Sequence, residues 1–314
     1  EAVDPEPATV ASFSRPNLCS DVATGYDLSA AGASTYNISI NSNGLTASAG
    51  TPVNGTGLAA TEINDDAWTN TTAGFVNVVY TITPVSAAGC QGDPYTITFP
   101  ILPEPLGGND TFVMCSSDGS LNYDLQADNI DVLGNSITSN FSWSVADNPN
   151  VSGETAGTST AASITDNLVN TTAVNQTVVY TITPTNSGNT CPGNDFTLTV
   201  TVEPQPVGVA PTTAVICSDQ ALGNDYTLST NGSSVAAASY TINSISNTAG
   251  LTASAGSPAT GTGFNANVLI NDAWTNQTGA QEDIVYNITP VSSAGCEGDP
   301  FNVTVSVDPE PATV

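Results

Sequence analysis

Six cysteines and 29 acidic residues are the side chains of this 314-residue chain whose types could do chemistry. Beside them stand one arginine, Arg15, no lysine and no histidine. Without histidine there is no Ser-His-Asp or Cys-His nucleophile and no imidazole site for a metal. Without lysine there is no Schiff base, no P-loop lysine and no Lys-Asn isopeptide cross-link. Carboxylate and thiol chemistry remain.

The cysteines fall as one early and one late residue in three segments: Cys19 with Cys90, Cys115 with Cys191, and Cys217 with Cys296. No CxxC is present, so the pattern reads as disulfides rather than a metal knuckle. The early cysteine precedes the first strand and the late one sits in the turn before the last strand. If both lie at one end of a sandwich, each pair bonds within its own repeat. Loops of about 70–80 residues closed this way stabilise each domain by roughly 4 kcal/mol in the chain-entropy model. Such bonds imply an oxidising, extracytoplasmic compartment.

The acids recur with the cysteines. Glu6, Glu104, Glu203 and Glu310 lie in Pro-rich linkers, while Asp93, Asp195 and Asp299 lie in the turn after the late cysteine. Asp65-Asp66 matches Asn271-Asp272 and Asp166. A glycosidase needs two carboxylates across a sugar cleft, whereas these acids repeat in step three times with no cleft-forming insertion. That excludes an enzyme and leaves two readings, turn and capping chemistry or calcium ligands at domain ends. Any cofactor is therefore Ca2+, bound by the linker and turn acids, or none.

The net charge of −28 repels phosphate backbones and anionic lipid, which excludes nucleic acid as a partner. Only 10% of residues are charged, so this is a solvated, self-repelling surface or one that recruits divalent cations. No run of about 18 apolar residues is present, so no segment is read as a transmembrane helix. Any leader sequence is expected to have been removed or to lie outside this stretch. Trp68 and Trp274, each in a DAWTN run, are core plugs or sugar-stacking residues; Leu168 stands at their place in the middle segment. Sequons such as those at Asn70, Asn170 and Asn276 need carry no glycan.

The elements that position these residues are repeated. VVYTITP occurs at 78–84 and 178–184, and IVYNITP at 284–290. The turn and last strand read AAGCQGDPYTITF at 87–99, GNTCPGNDFTLTV at 188–200 and SAGCEGDPFNVTV at 293–305. VDPEPATV stands at 3–10 and again at 307–314, which suggests a longer array. Period-2 alternation puts Tyr80, Tyr180 and Tyr286 on the inner face with their flanking Val and Ile, and places Trp143 of FSWSVAD in the core. The expected architecture is all-β: three tandem Ig-like antiparallel β-sandwiches of about seven strands. Their expected bounds are 1–102, 103–203 and 204–308, with 309–314 opening the next linker. Prolines at 5, 7, 103 and 105 fix φ and make the spacers stiff.

The series VVYTITP, AAGCQGD, PYTITF and PEP resembles the PKD-like repeats of giant surface proteins in Bacteroidota. Those repeats open with a Cys-Ser step, as at Cys19-Ser20, Cys115-Ser116 and Cys217-Ser218 here, and ITDNLVN at 164–170 fits the same pattern. The resemblance implies type IX secretion, display on the outer cell surface, and a place in a filament or adhesin of the gliding-motility kind. Its expected partners are neighbouring repeats, other copies of the filament or surface polysaccharide. The rival expectation is a set of calcium-dependent polysaccharide-binding modules, which an exposed row of aromatic side chains would favour.

Overall fold

The computed structural model describes residues 4–117, 119–159, 162–211, 214–247 and 250–310. Three separate apolar clusters form three cores, each around one Tyr-centred strand. In Val76–Val85, β-branched residues alternate with Thr and Asn, so Val78, Tyr80 and Ile82 are fully buried. Val178, Tyr180 and Ile182, and Ile284, Tyr286 and Ile288, are buried in the same way.

Each Tyr strand pairs antiparallel with the strand after the late-cysteine turn. Tyr80 faces Ile97, Tyr180 faces Leu198 and Tyr286 faces Val303. On its other side lies the middle strand, Thr35–Asn41, Ser139–Val145 or Ala237–Asn247. Smaller two-stranded sheets close the sandwiches, among them Thr46–Ala49 with Ala67–Thr69 and Leu251–Ala255 with Ala273–Asn276. The middle repeat departs locally with a short helical stretch, Leu125–Ile130, capped where Asp124 accepts from the backbone N–H groups of Gln126 and Ala127.

The main sheets are not wholly antiparallel, and this corrects the expectation where it matters most. In every repeat the strand that carries the early cysteine runs parallel to the last strand. Leu18 and Cys19 pair with Ile101 and Leu102, Asp110–Cys115 pairs with Leu198–Glu203, and Ile216 and Cys217 pair with Val307 and Asp308. A parallel partner needs a long crossover, and here the rest of the domain supplies it. The early cysteine consequently sits at the finish of the last strand.

Trp143 is only half-buried. Its indole packs on the edge of the core, lies over Gly157, which offers no side chain, and donates from Nε1 to the Thr155 carbonyl at 3.0 Å. The fully enclosed aromatic of that repeat is Tyr180.

Candidate functional site at the junctions between repeats

The last strand Tyr95–Leu102 is eight residues long, which separates its two ends by about 25 Å. Cys90 lies in the turn before its start and Cys19 lies against its finish. A disulfide needs Cα atoms within about 7 Å, so the expected bonds within repeats cannot form. The structure instead joins Cys19 to Cys191 and Cys115 to Cys296, each with Cα atoms 5.4 Å apart. The early cysteine of one repeat is bonded to the late cysteine of the next. Cys90 and Cys217, which were expected to be bonded, are free thiols.

The Cys-Ser step explains how the early cysteine is aimed. Ser20, Ser116 and Ser218 accept through Oγ from the backbone N–H groups of Asn70, Asn170 and Asn276 at 2.7, 2.8 and 2.9 Å. Those asparagines are the sequon residues, and each is a buried staple. Asn70 Nδ2 donates to the carbonyls of Gly74 and Ile101, while its Oδ1 accepts from the Thr72 backbone N–H and Oγ1. Asn170 with Thr172, and Asn276 with Thr278, repeat the arrangement. The Asn-x-Thr pattern therefore serves the turn, with its amide nitrogen already occupied.

The late cysteine sits in a turn with the same bonds in all three repeats. Its carbonyl accepts from Ser86, Asn186 or Ser292, and the glycine two residues on donates to Pro84, Pro184 or Pro290. That glycine permits the linker to press down. A side chain at Gly193 would overlap the Pro105 carbonyl, one at Gly298 the Pro206 carbonyl, and one at Gly92 would crowd that of Pro7. Side chains complete the joints: Asn135 Nδ2 bridges the carbonyls of Thr71 and Glu104 at 2.9 Å each, and Asn186 Nδ2 reaches Pro103. At the second joint Gln205 Nε2 donates to the Glu297 carbonyl.

Among the described residues, no three of the seven acids expected to hold calcium bring ligand atoms within 4.8 Å of one another. Glu6, Asp93, Asp195, Asp299 and Glu310 are exposed. Asp93 accepts from Thr9 Oγ1, Asp195 from Thr183 Oγ1, and Glu310 from Ser218 Oγ. Glu104 is buried at the first joint, where burial and then Asp21 push its carboxyl up to about 7. Glu203 pairs in register with Cys115, and Cys296 Sγ lies 3.6 Å from its Oε2. Glu203 thus occupies the station of Leu102 and Asp308, and Gln205 stands where the other joints carry Glu104 and Glu310. Among the described residues only Cys115, Glu203 and Cys296 bring three ligand-type atoms within 4.8 Å, and two of these are joined in the disulfide.

Sequence reasoning missed what Asp66, Asp166 and Asp272 do. Trp68 Nε1 donates to the Tyr80 hydroxyl at 2.9 Å, which donates to Asp66 Oδ2 at 2.9 Å. Trp274, Tyr286 and Asp272 form the same relay. In the middle repeat Leu168 replaces the tryptophan, and Asp166 accepts from Tyr180 at 2.6 Å and from the Thr155 backbone N–H. Burial pushes the Asp66 and Asp272 carboxyls up to about 6, against the lowering effect of the tyrosine bond. Burial drives the Tyr80, Tyr180 and Tyr286 phenols far upward, so they stay neutral donors. The common spacing of 14 residues from Asp to Tyr was the available signal.

Comparison with known proteins places these features. A family model described as PKD-like domain matches residues 17–105, 113–206 and 214–311. Curated protein sequences return no match. Among solved structures, human CDH23 EC21-23 is similar over 97% of this chain and 100% of that chain, with 9% identity and a TM-score of 0.28. The FN1-FN3 domains of chicken CNTN1 are similar over 88% and 89%, with 11% identity and a TM-score of 0.29. Superpositions this loose assign nothing to the chain.

Proposed function

Because the chain belongs to the PKD-like domain family, with three tandem copies spanning most of its length, we propose that it is a non-catalytic structural stretch of a long extracellular filament or adhesin. In this reading it is a stalk, displayed on the outer surface of a bacterial cell, that serves adhesion or gliding motility, with repeats bounded near 102, 203 and 308. The observation that carries the reading is the disulfide brace across each joint. A joint held by a linker alone can hinge and twist. A second covalent tether, displaced from the first, restrains both motions, which is what a projecting stalk under load requires. Disulfides persist in oxidising, extracytoplasmic surroundings, which supports the location.

Two further features support a structural rather than a catalytic or sugar-binding role. The buried aspartates accept from tyrosines inside the cores instead of facing a cleft. Trp68 and Trp274 are buried, and Phe75 is the sole aromatic among the strongly exposed large apolar side chains of the described residues. Among the described residues no row of strongly exposed aromatic side chains is formed. Antibodies against this chain, applied to intact, unfixed cells of the source organism, test the proposal. Label on projecting filaments is expected; label that appears only after lysis overturns it.

A further inference from the structure

The two cysteines left over are the open halves of the brace that joins the others. Cys217 is an early cysteine, exposed, and Cys90 is a late one, partly exposed. The bonded equivalents of Cys90, Cys191 and Cys296, are fully buried, and those of Cys217, Cys19 and Cys115, are partly buried.

Both open halves are already built like the closed ones. At the start of the chain, Pro7 presses on Gly92 as Pro105 does on Gly193 and Pro206 on Gly298, and the Cys90 turn has the backbone bonds of the Cys191 and Cys296 turns. At the end of the chain, Ser218 holds Asn276 as Ser20 holds Asn70. The Glu310 backbone N–H then donates to the Asn276 carbonyl at 3.0 Å, as that of Glu104 does to Asn70 at 3.0 Å.

A single residue station links the two ends. At the closed second joint, Glu203 is the register partner of Cys115 and lies beside Cys296 Sγ. Cys217 has Asp308 as its register partner, and Cys90 Sγ lies 3.7 Å from the Asp4 carbonyl. Asp4 and Asp308 are the same residue of the identical octapeptides VDPEPATV at 3–10 and 307–314. With Asp308 of one copy at the station that Asp4 takes in the next, Cys217 would lie beside Cys90.

We infer that Cys217 and Cys90 are attachment points for a further PKD-like repeat at either end, so that Cys217 of one three-repeat unit bonds to Cys90 of an identical unit set head to tail. Every joint of the array then carries one brace, and the free thiols disappear except at its ends. Bond formation releases two thiol protons and two electrons. A low-molecular-weight disulfide such as oxidised glutathione takes them up and leaves as two thiols.

The test uses a chain in which residues 11–314 follow Val314 directly, so that 307–314 serves as the linker of the second copy. After folding with oxidised glutathione, peptide mapping without reduction is expected to find Cys217 of the first copy joined to Cys90 of the second. Alkylation should then label only the first Cys90 and the second Cys217. The Cys19–Cys191 and Cys115–Cys296 peptides in the same map report correct folding. Cys217→Ser in the first copy should free the second Cys90 and leave those two links intact. If the two junction thiols alkylate fully while the other braces are present, or if Cys217 is found on any other cysteine, the inference is overturned. The chemistry is read independently of cell-surface display, so its failure and that of the stalk proposal are separate results.

Discussion

Cys19 pairs with Leu102 in a parallel ladder, at the far end of a strand that begins just after the Cys90 turn. That relationship carries the early cysteine of a repeat to the exit of its domain and leaves the late one at the entrance.

Peptide mapping of the folded chain without reduction is expected to return Cys19–Cys191 and Cys115–Cys296. These bonds span sequence separations of 172 and 181 residues. Replacing both Cys19 and Cys191 with Ser should lower stability by up to about 5 kcal/mol in the chain-entropy model. The loss should appear as a lower denaturant midpoint in the first two repeats, with the third little changed.

Tyr80→Phe leaves Trp68 Nε1 and Asp66 Oδ2 without their shared partner. The cost of orphaning buried groups is about 1–3 kcal/mol. Tyr80→Ala adds a cavity in a fully buried site and should cost about 3–5 kcal/mol. Denaturant unfolding of the two variants measures the difference, and a loss for Tyr80→Ala below that for Tyr80→Phe would contradict the assigned core.

The pH dependence of stability should run opposite to ordinary acid unfolding. Burial raises Asp66 and Asp272 from 3.8 to about 6 and, with Asp21, raises Glu104 from 4.5 to about 7. Between these limits the folded chain holds protons that the unfolded chain has released. Their stabilising effect is full below the unfolded values and is lost as pH rises through 6 and 7. Thermal unfolding at about pH 5 should therefore occur at a higher temperature than at about pH 7.5. Glu104→Gln, which copies Gln205 of the second joint, should flatten the upper part of that dependence.

Gly193→Ala puts a methyl group onto the Pro105 carbonyl. Overpacking of this kind costs about 1–3 kcal/mol. The linker should loosen, so limited proteolysis should cut near residues 103–106 faster than in the parent chain.

Much of the fold was legible because strand burial is a local, period-2 signal. Val78, Tyr80 and Ile82 declare their inner face without reference to any other segment. The linkers were legible through their prolines, and the Asp-to-Tyr spacing of the buried relay was visible although its meaning was not. That relay depends on which two strands lie across the core from each other. The linker acids were harder still: Glu203 and Glu104 look equivalent in a string of Pro and Glu, yet the strand register puts them at different stations.

The sequence by itself determined three repeats, one early and one late cysteine in each, their alternating strands, their Cys-Ser step and the Cys-x-Gly turn, with Cys90-Gln91-Gly92, Cys191-Pro192-Gly193 and Cys296-Glu297-Gly298. Only the tertiary structure decided which cysteine meets which. Spacing along the chain carries no information about whether the early cysteine's strand runs with or against the last. Here it runs with it, which separates the two cysteines of a repeat by the length of a strand. The thiols within bonding reach are those that face each other across a joint.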